Sequence, residues 1–119
     1  MKILVVDDDS EQLTLRCLLL ERNGFTTVQA GDAASAVARA ACDKPDCAVL
    51  DVRLPDEHSG LRLIRELKEA LPSTRIIVFT GVPKRRLADK QELTLVDQVI
   101  EKNAGPAALI GALKDLRAS

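Results

Sequence analysis

Asp7 and Asp8 in "KILVVDDDS", Asp51 in "DCAVLD", Thr80 in "RIIVFT" and Lys102 in "LVDQVIEK" share a placement: each stands where an aliphatic run gives way to polar sequence. Carboxylates brought within roughly 5 Å of one another repel by about 3 kcal/mol per pair at an effective dielectric of 20, so such an acid cluster needs a cation. No His or Cys belongs to the set, and oxygen donors alone suit Mg2+ or another divalent ion such as Mn2+. A metal beside Lys102 makes a place for a doubly charged phosphoryl group. There Asp51 is the nucleophile, since a carboxylate forms an aspartyl phosphate when the attacked phosphorus is held and neutralised. Thr80 donates a hydroxyl hydrogen bond to one phosphoryl oxygen, and Lys102 pairs with another.

That chemistry requires the five residues to meet, and the pattern of elements says how. The unbroken aliphatic run at 3–6 suits a strand covered on both faces. Ser10 is placed to cap a helix to about Arg22, with Leu13, Cys17 and Leu20 at helical spacing and Asn23-Gly24 to end it. "TTVQA" at 26–30 reads as a polar edge strand, and Asp32 caps an alanine-rich helix to about Cys42. "DCAVLD" is the next strand. A loop through Pro55 and Gly60 leads to a helix from about Leu61 to Leu71, with Leu61, Ile64, Leu67 and Leu71 as one stripe. "RIIVFT" is a strand, Pro83 begins a short helix to about Glu92, and "LVDQVIEK" is the last strand, ending at Lys102. Gly105-Pro106 opens a final helix with Leu109, Leu113 and Leu116 inward. Strands alternating with helices imply an α/β, doubly wound parallel sheet. Parallel strands point one way, so the polar residues at their ends gather on its carboxyl edge, where such sheets bind ligands.

The chain of 119 residues, 46% hydrophobic, suits one compact domain over 1–119, free-standing or the front of a longer protein. Lys and Arg number 17 against 18 acids, for a charge of -1, so no basic field attracts nucleic acid or anionic lipid. The apolar runs are far too short to span a membrane, and acids at 7–9 interrupt any signal-peptide core, so the chain reads as cytoplasmic. Cys17, Cys42 and Cys47 lack zinc spacing and read as small buried hydrophobes in a reducing compartment. Phe25 and Phe79 are the only aromatics, which leaves almost nothing for base stacking.

"ILVVDDD", "PDCAVLDVRLP" and the Thr80 to Lys102 spacing resemble the receiver domain of two-component response regulators, of the chemotaxis-regulator type, over essentially the whole chain. The resemblance implies a flavodoxin-like (βα)5 sheet in strand order 2-1-3-4-5. It implies that Asp7 and Asp8 hold the metal with Asp51 and the backbone carbonyl of Arg53. Asp51 is then the phosphoacceptor, Thr80 the switch hydroxyl and Lys102 the phosphate-binding lysine, while Asp9 is a helix-start acid. The donor it implies is the phosphohistidine of a sensor histidine kinase or of a histidine phosphotransfer protein, with a linked output domain as a further possible partner.

The sequence departs from that family at several points. Asn103 follows Lys102 where a proline, commonly cis, is usual, and a cis bond at Asn103 would cost about 2.5–4 kcal/mol, so a trans or rearranged loop is expected. Val99 replaces an aromatic. The stretch from Pro55 to Gly60 is one residue longer than usual and carries His58, the single histidine. Arg53 and Val82 stand two residues beyond Asp51 and Thr80, where side chains can line the path of an attacking water. "KRR" at 84–86 is a solvated basic face or a docking patch. Two other functions compete with a phosphorylatable receiver. A pseudo-receiver acting by contacts alone would not need all of Asp7, Asp8, Asp51, Thr80 and Lys102. A haloacid-dehalogenase-like phosphatase needs an acid two residues after its nucleophile, where Arg53 stands.

Overall fold

In the computed structural model, which describes residues 1–118, the strands are β1 (Lys2–Val6), β2 (Thr26–Ala30), β3 (Cys47–Leu50), β4 (Arg75–Thr80) and β5 (Gln98–Glu101). All pair in parallel, in the order β2-β1-β3-β4-β5. The helices are α1 (Ser10–Arg22), α2 (Ala33–Asp43), α3 (Glu57–Ala70), α4 (Lys84–Leu87) and α5 (Pro106–Ala118). The expected doubly wound sheet and its strand order are therefore those of the molecule. β2 is the half-exposed edge strand its polar sequence implies.

The two-residue period of each strand sorts its side chains between two cores. Leu4, Val6, Ala48, Leu50, Ile76 and Val78 pack with Ala36 and Ala40 of α2 and Ile64 and Leu67 of α3. Ile3, Val5, Cys47, Val49, Ile77 and Phe79 pack with Leu13, Cys17 and Leu20 of α1 and Leu109 and Leu113 of α5. A strand residue's parity thus fixes which helices it meets, and this extends to the polar residues at the strand ends.

Local chemistry moves several boundaries from their expected places. Asp9 is the expected helix-start acid and caps α1 in place of Ser10, because its carboxylate accepts the N–H groups of Glu11 and Gln12. Asp32 caps α2 as expected. α3 begins at Glu57 rather than near Leu61, since Asp56 accepts the Ser59 N–H at 2.8 Å and supplies a start signal inside the supposed loop. His58 therefore lies in the first turn of a helix, exposed. α4 is a single turn with no side-chain cap and only Leu87 buried, followed by a 3-10 turn at Gln91–Leu95 in place of a helix to Glu92. β5 stops at Glu101, so Lys102 opens a 3-10 turn instead of closing the strand. Cys17 and Cys47 are buried, but Cys42 is exposed: Ala36 and Ala40 form the buried stripe of α2, and Cys42 lies about 200° around the helix from Ala40.

Gly60 lets α3 sit against the loop after β3. A Cβ at Gly60 would lie 1.7 Å from the carbonyl oxygen of Val52, so no other residue fits there without backbone movement. That approach holds the segment carrying Asp51 and Arg53.

Candidate functional site

Asp51 follows the last residue of β3 and is held from three sides. Its Oδ1 accepts the Thr80 hydroxyl at 2.5 Å and the Arg53 N–H at 3.1 Å, while its Oδ2 pairs with Lys102 Nζ at 3.0 Å. Thr80 is fully buried, and its Oγ1 accepts the Val82 N–H at 3.2 Å, which leaves the hydroxyl hydrogen for Asp51. The Asp51 side chain is 13% exposed and that of Lys102 35%, so the pair is screened yet open to a small anion from solvent. Lys102 is positioned by the turn at 102–104, which Gly105 ends at φ +89° before Pro106 starts α5. The Lys102–Asn103 bond is trans, as expected, and the cis bond lies at Leu54–Pro55.

Asp7 and Asp8, equivalent in sequence, are not equivalent in space. Val6 pairs with Leu50, so Asp7 continues β1 to the position opposite Asp51. By parity Asp7 follows Ile3 and Val5 onto the α1/α5 face. There it is buried, with Oδ2 at 2.8 Å from Arg16 Nη1 and Oδ1 accepting the Asp9 N–H at 2.9 Å. Asp8, one residue further, is exposed. Arg16 also sits over the Phe79 ring, 5.1 Å from its centroid. Sequence reasoning missed Arg16, although a signal was there: three residues after Leu13 and one before Cys17, it is a charge on the buried stripe of α1.

The expectation of unrelieved carboxylate repulsion is accordingly revised. Arg16 already faces Asp7, and Lys102 faces Asp51. Among the described residues no group of three or more His, Cys, Asp or Glu side chains is gathered to hold a metal. The carboxylates of Asp8 and Asp51 with the Arg53 carbonyl are a smaller donor set, and it fits Mg2+, which usually takes one or two carboxylates and keeps several waters. Of the residues expected to line a water path, Arg53 is exposed but Val82 is fully buried in the core, packed in the cluster that includes Leu54 and Leu87. The reason is again parity, since Val82 continues the Ile76, Val78 series. His58 stands on the outer surface of α3, lining a shallow cleft with Arg62, Arg65 and Glu92. Lys84, Arg85 and Arg86 are exposed.

Among known proteins, the profile of the response regulator receiver domain matches residues 3–114. The alkaline phosphatase synthesis transcriptional regulatory protein PhoP of Bacillus subtilis is 38% identical over 80 residues, 67% of this chain and 33% of that protein. The chain thus spans about a third of the length of that curated relative. A Burkholderia pseudomallei response regulator, solved with a phosphorylated aspartic acid, calcium ion and citrate, is 29% identical. It superposes with a TM-score of 0.82 over 98% of this chain and 71% of that one. TrrA from Thermotoga maritima, solved with Mg(2+)-BeF, shares the fold with a TM-score of 0.86 at 23% identity, covering 97% of each chain. With the profile running from β1 into α5, and with an acid, a hydroxyl and a lysine joined at the carboxyl edge of the sheet, the chain belongs to the response regulator receiver domain family of two-component signal transduction.

Proposed function

We propose that Asp51 is the phosphoacceptor of this receiver, taking a phosphoryl group from the phosphohistidine of a sensor kinase or a histidine phosphotransfer protein. The observation that carries the reading is the carboxylate held between the Thr80 hydroxyl and the Lys102 ammonium. In the reaction an Asp51 oxygen bonds to phosphorus as the P–N bond breaks, and the electron pair stays on the donor's imidazole nitrogen. Lys102 then leaves the carboxylate for a phosphoryl oxygen, and the Thr80 hydrogen bond passes to another, so both donors follow the charge. Asp8, Asp51 and the Arg53 carbonyl are the groups that would hold Mg2+, or Mn2+ in its place, with Asp7 joining them where it gives up its pair with Arg16, and the bound ion would neutralise the phosphoryl oxygens. The calcium and phosphoaspartate of the Burkholderia relative support that assignment.

Arg53 stands where a phosphatase of related geometry needs a second acid, so the domain acts as an acceptor with slow hydrolysis and not as a turnover enzyme. The phosphorylated state is read by a linked output domain or a separate protein partner, and the transcriptional regulators among its relatives favour the former. The domain itself has no basic field for nucleic acid. A cytoplasmic location goes with this reading; among the described residues no helix is long and apolar enough to cross a membrane.

Intact-mass measurement after acetyl phosphate and Mg2+ tests the assignment. Wild type should gain one phosphoryl group and Asp51→Asn none. A gain that survives the substitution removes Asp51 from its role.

A further inference from the structure

Three observations converge on Arg16. Its ion pair with Asp7 is nearly closed to solvent, the two side chains being 8% and 6% exposed, so the attraction is weakly screened. Both Asp7 oxygens are already committed, one to Arg16 and the other to the Asp9 N–H. And Arg16 lines a cavity of about 320 Å3 between α1 and α5, together with Gln12, Leu15, Phe79 and Lys102. A guanidinium that let go of Asp7 would keep the Phe79 face and gain a route toward solvent, and its charge would not be stranded in the core.

We propose that Arg16 is a built-in counter-ion for the divalent-cation site, holding Asp7 in the metal-free protein and competing with the incoming ion, so that it sets how tightly that ion binds. The inference rests on the reading of Asp7, Asp8 and Asp51 as the cation site. Arg16 is a positioning residue in this account: it touches neither phosphate nor metal, and acts through Asp7. A monovalent cation fixed on one carboxylate lowers the negative potential at its neighbours, which weakens metal binding while relieving the metal-free fold of repulsion. Phe79 precedes Thr80 on β4, so displacement of Arg16 would also be felt beside the switch hydroxyl.

The test is binding of Mn2+ to the whole chain, read from the electron paramagnetic signal of the free ion. Arg16→Gln should bind Mn2+ about tenfold more tightly than wild type, Arg16→Lys should fall between, and Asp8→Asn should bind more weakly. The direction is diagnostic, because simple damage to the fold weakens a site. Equal or weaker binding by a folded Arg16→Gln overturns the proposal. Should that variant not fold, the wild-type Arg16 Nε–H resonance decides the matter. It should move as Mg2+ saturates the Asp8 and Asp51 amide shifts, and an unmoved Arg16 signal overturns the proposal. Uptake by Arg16→Gln with none by wild type is the extreme form of the expected result. No uptake by either overturns the cation site itself, and the proposal with it.

Discussion

On the β2-β1-β3 side of the sheet, α1, α2 and α3 run for 13, 11 and 14 residues, and each starts at an Asp whose side chain accepts backbone N–H groups. On the β4-β5 side, α4 has 4 residues and no side-chain cap, and the chain then passes through 3-10 turns on both sides of β5. The site draws on both sides: Asp7 and Asp51 come from the first, Thr80 and Lys102 from the second. Asp51, the proposed nucleophile, and Asp7 stand beside well-capped, densely packed elements. Thr80 and Lys102, the groups that follow the phosphate in the proposed function, stand next to short turns with few buried side chains, which is where local rearrangement costs least. On the proposed reading, the acceptor and its readout are thus built on parts that differ in helix length and capping.

Glycines offer the sharpest contrast between the two sides. Gly60→Ala must push the Val52 carbonyl aside, and should lower stability by about 3 kcal/mol or more in urea melts. Gly81→Ala, with nothing within 4 Å of its added Cβ, should stay within about 0.5 kcal/mol of wild type. Equal costs would show that the loop after β4 is as tightly determined as the one after β3. Leu67→Ala in α3 should cost about 2–5 kcal/mol. Leu95→Ala, in the turn before β5 and 39% exposed, should cost well under 1 kcal/mol.

A beryllofluoride mimic should move amide shifts mainly at 80–90 and 102–105. Little should change at Val99, whose β-branched side chain is packed against the core beneath α4 and has few χ1 options. Shifts concentrated on α2 or on Val99, with the loop after Thr80 silent, would reverse the assignment of stiff and responsive sides. Thiol labelling probes the first side from another direction. Burial pushes the Cys47 thiol up to about 12 and raises that of Cys17 as well, whereas Cys42 is exposed. At neutral pH, Cys42 should react fast and the other two only as the protein unfolds. Prompt labelling of all three would mean that β3 and α1 open readily.

The smallest effect concerns the caps. Asp32 and Asp56 are held below the usual carboxyl range, first by the N–H groups of Ser35 and Ser59. Their stabilisation is complete above the unfolded carboxyl pKa of about 3.9 and is lost as pH falls through the lower folded values. The stability of wild type relative to the double variant Asp32→Asn/Asp56→Asn, whose caps do not titrate, should therefore fall as pH drops from about 5 to 3. A difference that is flat with pH would mean the caps contribute nothing through their charge.

Much of this architecture was legible because its signals are local. Aliphatic runs, capping residues and Gly-Pro turns are read from a few neighbouring side chains, and they located all five strands. The same logic explains the misreadings: Asp56 sat inside a stretch dominated by Pro55 and Gly60, and the region after Pro83 contains too few apolar residues at helical spacing to show where a helix would stop. Cys42 was misjudged because an alanine-rich helix barely distinguishes its faces by composition.

The sequence by itself determined which residues stand at the strand ends, and with parallel strands that was enough to bring Asp7, Asp51, Thr80 and Lys102 to one edge. Which partners those residues take was decided only in three dimensions. A one-residue step along β1 carries a side chain to the opposite face, and the docking of α1 determines what waits there. Asp7 therefore meets Arg16 while Asp8 meets solvent, and Val82 joins the core while Arg53 stays outside. Neither outcome follows from residue type or spacing, because each depends on how two elements distant in sequence are packed against each other.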